Sequence, residues 1–203
     1  MPARCLTRVL VVGCASCHGT RGAVGAPCRQ NGGVTAHGVT PGVVWLLDVD
    51  GVLNTRRPGW NGPPRRGFAF SEGRPFLMRW APALMQRIRA VHASGRVQIR
   101  WCTTWCPESD QLERLFDLPH FDRVWTEQIN GLAAGLAKLD AAYDVLAQGH
   151  RLVWTDDQEV PAEGAIYEEL TAGGRCLLIA PKPNRGLQPD HLDLIEQFVS
   201  CGC

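Results

Sequence analysis

Lysine is nearly absent from this chain. Of its 21 basic residues only Lys138 and Lys182 are lysine, and the other 19 are arginine. A coding bias toward arginine produces such a skew without function, so each surviving lysine is a candidate for a specific role. Long apolar runs are also missing. No stretch approaches the roughly 20 residues of a membrane-spanning helix, which leaves no candidate transmembrane segment. A strong charge of one sign is lacking too: the net charge is +1 over 203 residues. That balance argues against a protein whose main task is to coat nucleic acid or an anionic membrane. With 45% hydrophobic and 20% charged residues, the chain can build one well-buried domain but not two large ones.

Acidic residues are missing altogether from residues 1–42, which hold four Arg, eight of the 22 Gly and four of the nine Cys. Without charge balance or a periodic apolar face, this segment reads as a poorly ordered tail. Its apolar run Val9–Val12 is shorter than a secretory signal requires, so the protein is expected to be cytoplasmic. The tail carries one sharp motif, Cys14-Ala15-Ser16-Cys17-His18, which spells the CxxCH of covalent haem attachment. A haem domain would need helices packed around that motif, and none is legible. Zinc held by Cys14, Cys17, His18 and Cys28 has suitable ligand types at irregular spacing. Cys106, Cys201 and Cys203 lack metal-like pairing, while Cys102 and Cys176 fall in strands and read as buried thiols.

From Val43 the texture changes. Val43–Leu47 is a continuous apolar run, as expected of a strand buried on both faces. Helical spacing of Phe76, Leu77, Trp80, Leu84, Met85, Ile88 and Val91 predicts a helix over 75–91. Further strands are expected at 97–101, 123–126, 151–155 and 176–179, and helices at 109–118, 136–147, 166–171 and 189–199. Strands alternating with helices imply an α/β fold, a Rossmann-like parallel sheet with helices on both faces and no large cap domain. Ligands of such sheets bind beyond the carboxyl ends of the strands. The residues found there are Asp48-Val49-Asp50-Gly51-Val52-Leu53-Asn54, Thr103-Thr104-Trp105 and Asp156-Asp157, with Lys138 preceding the last. Four carboxylates converging on one edge repel one another unless a cation lies among them, and oxygen-only ligands favour Mg²⁺.

This set of motifs resembles the haloacid dehalogenase-like phosphohydrolase superfamily over residues 43–157, in the order that family has them. The resemblance implies Mg-dependent hydrolysis of a phosphomonoester through an aspartyl-phosphate. It makes Asp48 the nucleophile, Asp50 the general acid and base, and Asp48, Asp50, Asp156 and Asp157 the metal site. Lys138 matches the family's lysine. Thr103 matches the motif hydroxyl, with Thr104 a rival because the register is ambiguous. Between Asn54 and Pro75 the chain is too short for a folded cap, and residues 55–74 read as an Arg/Gly/Pro flap. There Arg56 and Arg57 would raise the positive potential and Trp60 could stack on a ring, all three as substrate-binding residues. The expected partner is a phosphorylated substrate, small or macromolecular, with no membrane partner. The competing reading is a binding or regulatory module that keeps this fold without catalysis.

Overall fold

The computed structural model describes residues 42–201. The order expected of the tail, its CxxCH motif, the zinc alternative and Cys203 lie outside the described residues. The elements are β1 (Val43–Leu47), β2 (Arg65–Ser71), β3 (Arg74–Trp80), α1 (Pro82–Ala93), β4 (Val97–Trp101), α2 (Ser109–Phe116), β5 (Asp122–Arg123), α3 (Gly131–Ala147), β6 (Arg151–Thr155), α4 (Ala165–Thr171), β7 (Cys176–Ile179) and α5 (Pro189–Ser200). Five strands form a parallel sheet in the order β5-β4-β1-β6-β7, flanked by helices, as the alternation of patterns implied. Every residue of β1 is buried. A strand covered on both faces has no solvent side to mark with polar residues, which is why it reads as an unbroken apolar run.

The core centres on Trp45, Trp101 and Trp154, one from each of the three middle strands and all fully buried. A buried indole usually finds a partner for its N–H, and two of the three do, Trp154 Nε1 having none among the described residues. Trp45 Nε1 donates to Thr155 Oγ1 at 2.9 Å, and Trp101 Nε1 donates to Glu113 Oε1 at 2.9 Å. Cys102 and Cys176 are buried free thiols, as expected, although Cys102 lies just past β4 rather than in it, and burial pushes both up from the ordinary thiol range. No helix among the described residues is long and apolar enough to cross a membrane.

One helix begins later than its pattern suggested. Residues 74–80 are not the start of a helix over 75–91 but the second strand of an antiparallel hairpin, β2–β3. Glu72 and Gly73 make its two-residue turn with φ of 49° and 74°, the primed geometry that matches strand twist. Helix α1 starts only at Pro82, because proline fits the first turn of a helix and disrupts its interior. In β3, Met78 and Trp80 are buried with the half-buried Arg79 between them, the alternation of a strand, while Phe76 and Leu77 nearer the turn stay exposed. The expected flap at 55–74 is therefore a loop followed by β2, and its hairpin reaches Trp80. Strand β5 is two residues long rather than four, and α3 opens at Gly131 rather than near Leu136, so Lys138 sits inside the helix.

Candidate active site

The sheet order makes the site. The chain leaves β1 toward β4 on one side and leaves β6 toward β7 on the other. At such a switch point the two connections diverge and open a crevice beyond the strand ends. Leu47 and Thr155 are register partners, so the residues that follow them, Asp48 and Asp156, emerge side by side. Backbone bonds extend the ladder past the strands: Asp48 N–H donates to Thr155 O at 3.1 Å and Asp156 N–H to Ile179 O at 3.2 Å.

Lys138 joins the two acids. From α3 its Nζ lies 3.2 Å from Asp48 Oδ1 and 2.6 Å from Asp156 Oδ2, with all three side chains at least nine-tenths buried. Asp156 is fixed further by the backbone N–H groups of Gln158 and Glu159, each 2.9 Å from Oδ1. Burial, which alone would lower the Lys138 ammonium, is outweighed by the charges of Asp48 and Asp156, and its pKa is raised. The Asp48 carboxyl is pushed up to about 7 by burial and by the charge of Asp156, against the opposing pull of Lys138, the Val49 N–H and the Thr103 hydroxyl.

Asp157 completes an acidic triad. Ligand oxygens of Asp48, Asp156 and Asp157 lie within 4.8 Å of one another. Burial and then Asp156 raise Asp157 from the ordinary carboxylate range. Its carboxylate lies over Gly51, where an added Cβ would collide with it, and Gly51 has φ of 71°. Glycine is thus required there twice, for the backbone and for the approach of the acid. Three carboxylates facing one ammonium leave an excess of negative charge at this edge, a surplus that a bound divalent cation would neutralise.

Asp50 is placed by two residues whose partnership spacing does not reveal. Trp105 Nε1 donates to its Oδ2 at 2.8 Å, and Asn54 Nδ2 donates to its Oδ1 at 2.6 Å. Phe76 of β3 backs Trp105 edge-on, with ring centroids 5.3 Å apart. Arg79 N–H holds Asn54 Oδ1 at 2.8 Å. Asn54 lay inside the DxDGVLN segment and Trp105 beside the paired threonines, so both were in view. Only the folded chain reveals what they hold.

The two threonines differ in position. Thr103 is buried and its hydroxyl opposes the rise of the Asp48 carboxyl, while Thr104 lines the cavity of about 580 Å³ that Asp48, Asp50, Lys138, Asp156 and Asp157 also line. The three expected substrate residues from the flap do not reach that cavity. Arg57 is exposed, with its backbone N–H on Asn184 O at 2.9 Å. Trp60 packs against the core and donates Nε1–H to Leu187 O at 2.8 Å, so its indole is a structural prop rather than a free stacking face. Arg56 lines a separate cavity.

A second acidic group, Asp110, Glu113 and His120, has ligand atoms just as close. Its atoms are already engaged: Glu113 accepts from Trp101, the Phe121 N–H and His120, and Asp110 pairs with Arg123 at 2.8 Å. Compared with known proteins, the chain matches no family model, no curated protein and no solved structure.

Proposed function

We propose that this chain is a divalent-metal-dependent phosphomonoester hydrolase of the haloacid dehalogenase-like type, working through an aspartyl-phosphate on Asp48. The observation that carries the reading is Lys138 bridging Asp48 and Asp156 at the switch point of a parallel sheet, with Asp157 beside them. The donor set fits Mg²⁺: it is all oxygen and carries more negative charge than Lys138 balances. Asp48, Asp156 and Asp157, with the backbone at Asp50, would hold the ion. When bound, it supplies neutralisation of phosphate charge.

The rest falls to the protein's own groups. An Asp48 carboxylate oxygen attacks phosphorus, forming an acyl-phosphate as the bond to the leaving oxygen breaks. Asp50 gives its proton to that oxygen. It then takes a proton from water, whose oxygen attacks phosphorus and releases Asp48 and inorganic phosphate. Each Asp50 oxygen accepts one hydrogen bond and keeps a further lone pair for the proton, so Trp105 and Asn54 aim the carboxyl without disabling it. Lys138 holds Asp48 in place and offers positive charge where negative charge gathers in the transferring group.

The test is turnover of p-nitrophenyl phosphate by the full chain with Mg²⁺, beside Asp48→Asn. We expect Mg-dependent turnover in the wild type and a loss of about 10⁴-fold or more in the variant, the scale of removing a nucleophile. Wild-type inactivity on a broad panel of phosphomonoesters, or a variant within tenfold of wild type, would overturn the reading and leave a binding module.

A further inference from the structure

Across the Asp50–Asn54 pair from the acidic cavity lies a second cavity of about 430 Å³, lined by Asn54, Thr55, Arg56, Leu77, Arg79, Pro183 and Asn184. Its lining includes two arginines and no carboxylate, the reverse of its neighbour. The walls are preformed. Leu187 N–H bonds Val52 O at 3.0 Å, Arg57 N–H bonds Asn184 O at 2.9 Å and Thr55 N–H bonds Arg79 O at 3.0 Å. Gly186 is pressed so closely on Val52 and Thr55 that a Cβ would not fit.

We propose that this cavity is an anion subsite for a second phosphate of the substrate, whose scissile phosphate sits at Asp48. The inference rests on the phosphohydrolase reading and narrows its substrate to phosphomonoesters bearing another phosphate group. Arginine suits that group because its planar fork of donors matches phosphate oxygens. The surrounding chain favours anions as well: from Gly51 to Pro107 there are ten Arg and a single acid, Glu72. Asn54 links the sites directly, since it lines the subsite and bonds Asp50. The second phosphate is either a monoester, as in a sugar bisphosphate, or a diester, as in a 5′-phosphorylated oligonucleotide.

The experiment compares kcat/KM for three probes: p-nitrophenyl phosphate, fructose 1,6-bisphosphate and 5′-phosphorylated thymidine dinucleotide. Each is run on wild type, Arg79→Gln and Arg56→Gln. We expect one doubly phosphorylated probe to lose about tenfold relative to p-nitrophenyl phosphate in either arginine variant, through KM. Which probe responds identifies the source of the phosphate. Arg56 is exposed, so its variant reports even if Arg79→Gln fails to fold. Parallel changes for all three probes, or none, would overturn the subsite. Calorimetric titration of the same probes into Asp48→Asn separates the two readings. Binding there that weakens in Asp48→Asn/Arg56→Gln supports the subsite even without turnover, and its absence overturns the subsite alone.

Discussion

The two cavities share a wall, the Asp50–Asn54 hydrogen bond of 2.6 Å, yet they are electrostatic opposites. The larger is lined by five carboxylates, Asp48, Asp50, Asp156, Asp157 and Glu159, against the single cation Lys138. The smaller is lined by Arg56 and Arg79 and no acid. The difference shows how neighbouring cavities at one sheet edge can keep opposite charges apart without either set neutralising the other. The acids come from loops after β1 and β6, which parallel pairing brings together. The arginines come from the segment after Asn54 and from β3, an appendage outside the main sheet. Each charge set is thus carried by its own structural unit.

Substitutions on the acidic side sharpen that contrast most. Asp50→Asn should lower turnover by about 10² to 10⁴, the range for lost acid and base assistance, with the KM of p-nitrophenyl phosphate changing far less. Equal losses in kcat and in affinity would place Asp50 in binding instead. Lys138→Met removes the only cation between two buried carboxylates. Breaking a buried pair in this way costs about 3 kcal/mol or more. Chemical denaturation without metal should show the loss, and added Mg²⁺ should restore part of it by binding the folded state. Stability unaffected by the substitution would mean that the ion pair contributes nothing to the fold.

Smaller effects test the shared wall and a site remote from it. Trp105→Phe keeps the ring against Phe76 but deletes the donor to Asp50, a hydrogen bond to a charged group. Turnover should fall about tenfold, with a shifted pH profile if Trp105 positions the carboxyl, whereas a purely structural role would change stability alone. The least effect is expected at His191 in α5, which lines neither cavity. Its Nδ1 accepts from Gln188 N–H at 3.1 Å in the capping box of that helix, and burial lowers its pKa despite the opposing Asp190. A lowered histidine binds fewer protons folded than unfolded, so its contribution is present above the ordinary imidazole range and is lost as pH falls below it. Melting temperature should decline from pH 7 to pH 5.5 less steeply in His191→Gln than in wild type.

Much of the acidic side was legible before folding, because a strand end is a local feature. An apolar run followed by Asp48, and another followed by Asp156, mark their own positions, and the rarity of lysine made Lys138 visible. The second cavity was not legible as a site. Thr55 and Arg79 stand 24 residues apart and meet only because the hairpin folds back. Phe76, Leu77 and Trp80 satisfied a helical count equally well, although Pro82 in the middle of that count was a signal against it. Trp60 looked available for stacking because its acceptor, Leu187, lies 127 residues away.

The amino-acid order by itself determined the alternating elements of the α/β fold and the types of residue at the strand ends, since both follow from short-range patterns of apolar and polar side chains. Tertiary structure decided which threonine is buried and which lines the acidic cavity, what orients Asp50, and that Arg56 faces a cavity of its own while Trp60 serves the core. Those outcomes depend on the register between β1, β4 and β6 and on where a hairpin docks. Both are set by packing among residues far apart in the chain, which no local pattern encodes.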